Sequence, residues 1–352
     1  MKQEQEHARD DVTEPAPGVL RLQLPIEMPG LGHVNAYVLR DDRGAALVDP
    51  GLPGQASYRA LLRRLADAGL RVRDIHTVLV THSHPDHYGS AGRLAEDAGA
   101  VLTTHAAFRL FWAPHACDHE VREISDEDRA AADAVSRDRT PWGGKPWRPP
   151  WRRRLAMKAG RLGLNRSFLH PRPGRRLGHG EQLWLAGRPW QAVHTPGHTL
   201  DHLCLYEPEA GTLLSGDHVL PTITPHIGGM ATGHDPLQRF LDSLERVAAL
   251  PGVQTVLPAH GHPFTDLRGR VADIRHHHDQ RLDRLRVALT DAGEALSVTE
   301  LSHALFRPAH WGFMAESETY AHMEHLRLAG EVTRHEEADR VTYAVVARTS
   351  PS

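Results

Sequence analysis

His82-Ser83-His84-Pro85-Asp86-His87 packs three imidazoles and a carboxylate into six residues. The stretch before it, Thr77-Val78-Leu79-Val80-Thr81, is apolar and β-branched, the pattern of a buried strand that ends where the donors begin. Imidazole nitrogen and carboxylate oxygen are the ligands that zinc and neighbouring first-row ions prefer. One zinc takes three or four protein ligands, so a cluster this dense points to more than one ion.

Histidine abundance tempers that reading. The chain holds 27 histidines in 352 residues, a density at which chance alone gives about two His-x-His pairs. His260/His262 and His276/His278 are such pairs. The run His276-His277-His278 falls in a helical pattern, where neighbours point about 100° apart and cannot all chelate one ion. These three are expected on a helix surface, with at most one facing the site. Only a larger constellation carries weight.

Three further turns supply it. Thr195-Pro196-Gly197-His198-Thr199 follows a strand pattern, and Pro-Gly makes a tight turn that aims His198 off the sheet edge. Ser215-Gly216-Asp217-His218 ends another strand, and Leu257-Pro258-Ala259-His260-Gly261 ends a third. Ligands of α/β proteins gather at such strand ends. His105 and His218 are candidates for supporting the ligands from behind.

Composition narrows the class. No run of 18 apolar residues spans a bilayer, and the charged N-terminus lacks the apolar core of a secretory signal. Cys117 and Cys204 are the only cysteines, too few for a disulfide framework or a Cys₄ metal site. A cytoplasmic protein with one large domain and a small one is expected.

Strand and helix patterns alternate over the first half: strands over 19–24, 34–40, 45–49, 77–81 and 100–103, helices over 57–68 and 88–97. This alternation predicts an α/β fold with helices packed on sheets. Residues 1–17 are expected to be a disordered tail. Residues 118–176 break the rhythm as an insertion. Its part 118–138 holds eight acids and three arginines, and 145–176 holds eleven Lys/Arg and no acid. There Arg152, Arg153, Arg154 and Lys158 are candidate contacts to the phosphates of a coenzyme A-type thioester or of RNA. Trp147 or Trp151 could stack on a base or acyl group. The plainer expectation is a lid that balances the acidic helix and closes over the metals. Strands then resume over 183–185, 190–194, 202–206, 212–215 and 253–257, with helices over 236–249 and 266–289. Helices over 298–306 and 317–328 and strands over 331–335 and 341–346 follow, a winged-helix-like unit joined by a helical linker within 266–352. Residues 291–352 carry ten acids and five arginines, which favours packing or dimerisation over nucleic-acid binding.

The chain resembles the metallo-β-lactamase superfamily over residues 18–265. Residues 82–87 match its His-x-His-x-Asp-His signature, Val48-Asp49-Pro50-Gly51 resembles its early strand-and-loop motif, and the three turns follow in its order. The resemblance implies an αββα sandwich with two metal ions at one edge of the paired sheets. It implies that His82, His84 and His198 hold one ion, that Asp86, His87 and His260 hold the other, and that Asp217 bridges them. The ions would be zinc, with iron or manganese as alternatives. Coordination lowers the pKa of water to about 7, giving a hydroxide nucleophile at neutral pH, with Asp86 helping to orient it.

The superfamily's branches differ at these positions. Flavodiiron proteins carry Glu where this chain has His84, and true zinc β-lactamases lack the bridging Asp or replace one ligand by Cys or Ser. The full set resembles glyoxalase II, thioesterase and lactonase relatives, which implies a small-molecule acyl substrate. The ribonucleases of the superfamily share it, and mononuclear iron sulfur dioxygenases share its first motif. A winged-helix regulator with a vestigial hydrolase domain is the non-enzyme alternative, opposed by the intact ligand set.

Overall fold

The computed structural model describes residues 2–28, 30–110, 139–144, 148–230, 234–337 and 340–346. Seven strands form the first sheet in chain order: β1 (Thr13–Ala16), β2 (Val19–Met28), β3 (Leu31–Asp41), β4 (Gly44–Val48), β5 (Ile75–Leu79), β6 (Val101–His105) and β7 (Arg175–Leu177). The first four run antiparallel through short turns, and β4 to β7 run parallel. Parallel neighbours need crossovers. Helix α1 (Gln55–Asp67) supplies the first, and the short α2 (Pro85–Tyr88) with α3 (Ala91–Ala98) the second.

The second sheet comprises β8 (Gln182–Leu185), β9 (Arg188–His194), β10 (Leu203–Glu207), β11 (Thr212–Gly216) and β12 (Thr255–Pro258), in the spatial order β12-β11-β10-β9-β8. Side-chain alternation explains how the sheets stack. On β3, Val34, Ala36 and Val38 join the cluster under α1 with Tyr58, Leu61 and Leu65. Its alternate residues Tyr37 and Leu39 face the second sheet, against Trp190, Leu203, Leu205 and Leu214. A strand apolar on both faces lies between two layers.

Between β6 and β7 of the first sheet the chain forms α4 (Trp151–Arg161). The outer face of the second sheet is covered by α5 (Pro236–Ala248) and α6 (Leu267–Ala292). Both start at side-chain caps: Asp235 accepts from the Gln238 amide at 3.0 Å and Asp266 from the Gly269 amide at 2.9 Å. The layers are therefore helix, sheet, sheet, helix. The chain ends in α7 (Val298–Leu305), α8 (Phe313–Leu328) and a small sheet of β13 (Leu296–Ser297), β14 (Val332–Glu337) and β15 (Arg340–Val345), ordered β13-β15-β14. Its residues Leu301, Met323, Leu326 and Tyr343 share one apolar cluster with Phe240 of α5 and Ile274 and Leu285 of α6. No helix among the described residues is long and apolar enough to cross a membrane.

Three expectations change. The N-terminal segment is not a free tail. Glu4 is fully buried and accepts from the Thr222 and Ile223 amides at 2.8 and 3.1 Å, and residues 13–16 form a strand of the first sheet. Charge suggested disorder, but these charges find partners in loops distant in sequence. The insertion does not extend to 176, because Arg175 and Arg176 already pair with Thr103 and Thr104 in the sheet. An edge strand can carry arginines that an interior strand cannot, which hid it. His278 is buried rather than on the helix surface, its Nδ1 lying 3.0 Å from His322 Nε2 on α8. The acidic stretch 118–138 and Trp147 lie outside the described residues.

Candidate metal centre

The sequence-predicted metal donors lie in the turns that follow strands, or, for Asp86 and His87, on the short helix that such a turn enters, on one edge of the paired sheets. The chain leaves β5 and passes through 80–84 into α2, with Pro85 as its first residue, a position where proline costs no hydrogen bond. His198 follows β9, Asp217 follows β11 and His260 follows β12. The fold gathers the donors in two groups. One donor atom each from His82, His84, His198 and Asp217 lie within 4.8 Å of one another, and so do those of Asp86, His87 and His260.

Asp217 touches both groups. Its Oδ2 lies 3.8, 3.6 and 3.5 Å from Nε2 of His82, His198 and His87, and its Oδ1 lies 3.3 Å from Nε2 of His260. Asp86 Oδ2 lies 3.5 Å from His87 Nε2 and 3.4 Å from His260 Nε2. Two ligands each about 2.1 Å from a tetrahedral ion are about 3.4 Å apart, so these spacings suit shared cations.

The histidines are aimed by what holds their other nitrogen. His87 Nδ1 donates to Asp49 Oδ2 at 2.9 Å, His198 Nδ1 to the His226 carbonyl at 2.7 Å, and His260 Nδ1 to the His33 carbonyl at 2.7 Å. His82 Nδ1 meets Thr81 Oγ1 at 3.0 Å, and that hydroxyl donates onward to Asp49 at 2.7 Å. Each such bond fixes the tautomer that presents a bare Nε2 to the centre. Accordingly Nε2 of His87, His198 and His260 and Oδ1 of Asp217 are buried with no hydrogen-bond partner in the protein. Buried polar atoms are rarely left so. A cluster of them converging on one point, in a His/Asp donor set, fits divalent cations.

Electrostatics divides the two groups. Burial, reinforced by neighbouring imidazoles, holds His82 and His84 below the ordinary histidine range, His84 down to about 3. Burial also pulls on His87 and His260, but the carboxylates of Asp86 and Asp217 outweigh it, helped at His87 by Asp49. They lift His87 well above the usual range and His260 to about 10. Asp86 and Asp217, which burial alone would push up, are held below the carboxylate range by these same histidines. The field around Asp217 thus favours positive charge.

Several supporting residues escaped the sequence reading. Asp49 binds the Thr81 amide at 2.8 Å, the Thr81 hydroxyl and His87 at once, from a backbone at φ 54° that aspartate seldom adopts. Its motif was visible; its role was not. His202 accepts from the Asp217 amide at 3.0 Å, and a Cβ on Gly216, itself at φ 52°, would come within 2.7 Å of that ring. His33 donates from Nδ1 to the Glu6 carbonyl at 2.8 Å, which ties the N-terminal segment to the turn carrying His260. His105 and His218 do not join the donor groups. His105 stacks on His194 with centroids 3.8 Å apart, and His218 packs edge-on against Phe240.

The basic residues are arranged differently. Trp151, Arg152, Arg153, Arg154 and Lys158 lie on α4, and all five are exposed. Of these, Arg153 is felt electrostatically at the helix that carries two donors. Burial pushes the Tyr88 hydroxyl up to about 12 while the Arg153 charge pulls it down, so α4 approaches the helix bearing Asp86 and His87.

With this geometry in hand, the likeness to known proteins is specific. A family model described as the metallo-beta-lactamase superfamily matches residues 29–288. The chain belongs to that superfamily. A crystal structure of a metallo-beta-lactamase family protein from Thermus thermophilus is 32% identical, covers 94% of this chain and 99% of its own, and has a TM-score of 0.71. A probable metallo-hydrolase of Bacillus subtilis, YqjP, is 24% identical over 94% of this chain and 98% of its own length. An atrochrysone carboxyl ACP thioesterase of Aspergillus fumigatus is 25% identical over 82% of this chain and 70% of its own. The protein is a hydrolase of the metallo-beta-lactamase superfamily, with His/Asp clusters suited to divalent metals.

Proposed function

We propose that the protein is a binuclear metal-dependent hydrolase of carboxylic thioesters or related esters and lactones. The reach of Asp217 to both donor groups carries this reading. His82, His84 and His198 would hold one ion, Asp86, His87 and His260 the other, and Asp217 both, zinc suiting the nitrogen-rich set and iron or manganese being alternatives. Two such ions supply activated water at neutral pH and a Lewis acid for the substrate carbonyl.

The chain's own residues do the remaining work. Asp86, kept ionised, would help orient the attacking water. Asp49, Thr81 and the His33 and His226 carbonyls lock the imidazoles, so no reorganisation is needed as charge develops. The basic face of α4 would attract a phosphate-bearing acyl carrier, and the relative named as an acyl-carrier thioesterase supports an acyl substrate. Water adds to the acyl carbon, the carbon–sulfur bond breaks, and a carboxylate and a thiol leave.

The winged-helix-like part of 266–352 would dock through α6 on the hydrolase unit, in a cytoplasmic protein that could form a homodimer and whose expected substrate is a small acyl compound rather than nucleic acid or membrane. The test is thiol release from acyl-coenzyme A and acyl-glutathione, and ring opening of lactones, by metal-loaded protein. Turnover lost in Asp217→Asn is expected. Cleavage of single-stranded RNA that His82→Ala abolishes, with no thioester turnover, would replace this reading with an endoribonuclease. One tightly bound iron and oxygen uptake with persulfides would replace it with a dioxygenase.

A further inference from the structure

We propose that Glu318, on α8 of the C-terminal unit, is a positioning residue for the ion assigned to His82, His84 and His198. Beyond residue 288 the chain lies outside the segment that the family model matches, yet it reaches the metal centre through one short path. His198 points Nε2 at Asp217 only because its Nδ1 donates to the His226 carbonyl, 2.7 Å away. That carbonyl belongs to the segment following Asp217, and α8 holds this segment at two places.

The first is the His226 ring, whose Nδ1 lies 3.2 Å from Glu318 Oε2 and donates to it. The second is three residues on, where the Gly229 amide donates to the Ser317 carbonyl and hydroxyl, both at 3.1 Å. The approach is so close that a Cβ on Gly229 would sit 2.4 Å from the Tyr320 ring. Between these anchors Ile227 is fully buried in the cluster that includes Tyr320.

Glu318 is built for this task. It is 7% exposed, and burial pushes its carboxyl up, but the Arg281 guanidinium and His226 more than compensate and keep it ionised. Arg281 reaches it from α6. Glu318, His278 and His322 also bring donor atoms within 4.8 Å of one another, which invites the thought of a third ion. Both Glu318 oxygens are already engaged, Oε1 by Arg281 and Oε2 by His226. His322 donates from Nδ1 to the Glu318 carbonyl at 2.7 Å and so can accept from His278 Nδ1 at Nε2. Only His278 Nε2 is left without a hydrogen-bond partner, too few bare donors to hold an ion, so the cluster works as a clamp. A buried ion pair with one partner removed is costly, so α8 and the His226 segment keep a single relation, and the carbonyl that sets the His198 tautomer keeps its place.

This inference rests on the two-metal reading. The experiment measures both metal dissociation constants of the full-length protein with a chromogenic chelator, together with the visible absorption of the cobalt-substituted form. His87→Ala, which removes a ligand of the other ion, identifies the two steps. Glu318→Gln is expected to weaken the His198-side ion about 10- to 100-fold, the usual effect of losing an outer partner, with the other ion held within about 3-fold and altered cobalt absorption. His226→Ala, at a partly exposed side chain that the core does not need, should give the same loss. The double variant should lose no more than the larger single, as members of one path do. Thermal unfolding of the metal-free proteins reports whether each variant is folded, and if Glu318→Gln is not, His226→Ala decides. Wild-type affinity for both ions in the folded variants overturns the role of Glu318 alone. A wild-type protein that binds no ion overturns the two-metal reading and this one together.

Discussion

The donor cluster around Asp217 and the basic helix α4 are both dense patches of one chemistry in the sequence, and the fold treats them oppositely. The donors come from four strand ends spread from His82 to His260 and converge in a buried pocket, with imidazoles held from behind. The residues of α4 are neighbours in sequence and stay dispersed on an exposed surface, with Trp151 64% exposed. Clustering in sequence therefore says little about clustering in space. What distinguishes the two is whether desolvation is compensated: a buried donor needs partners, whereas an exposed arginine is satisfied by water.

The largest expected effect sharpens that contrast at its centre. Asp217→Asn should reduce hydrolysis by on the order of 10²-fold or more, exceeding the loss typical of an outer partner, and lower the metal content from two ions toward one by elemental analysis. Two ions and full turnover in this variant would break the assignment. Next comes Asp49→Asn. An amide nitrogen can accept neither the His87 proton nor the Thr81 hydroxyl, so the Asp86-side ion should weaken roughly 10- to 100-fold. The His198-side ion, reached only through Thr81 and His82, should weaken by less; equal weakening of both would mean that Asp49 acts on the whole edge.

Acid should expose the buried histidines generally. Burial lowers His194 and His322 to about 4 and His105 to about 2, while unfolded imidazoles titrate near 6.5, roughly. Below that pH the unfolded chain binds more protons than the folded one, so stability is present above about pH 6.5 and falls as the pH drops toward about 4. Urea midpoints of the chelated protein between about pH 6.5 and 4 check this, a window below the one in which the contribution of the raised His87 and His260 changes with pH. A flat profile there would show that His105, His194 and His322 are not buried as described. The smallest effects belong to α4. Trp151→Ala and Arg153→Ala should change stability by no more than about 0.5 kcal/mol and leave metal content unchanged, while raising KM for a phosphate-bearing thioester with kcat preserved. Loss of metal in either variant would mean that α4 is part of the centre after all.

The sequence by itself determined the donors, because each is announced locally by a strand pattern that stops at a turn carrying His or Asp. It determined the layering too, since β3 is apolar on both faces and α1 on one. Tertiary structure alone decided how the donors are aimed. The acceptors behind His198 and His260 are backbone carbonyls of His226 and His33. A carbonyl is the same for every residue type and leaves no mark in the sequence. The long-range partners of the N-terminal segment, of His278 and of Glu318 were hidden for a related reason. A charged or imidazole side chain reads as surface until the fold brings up the group that neutralises it.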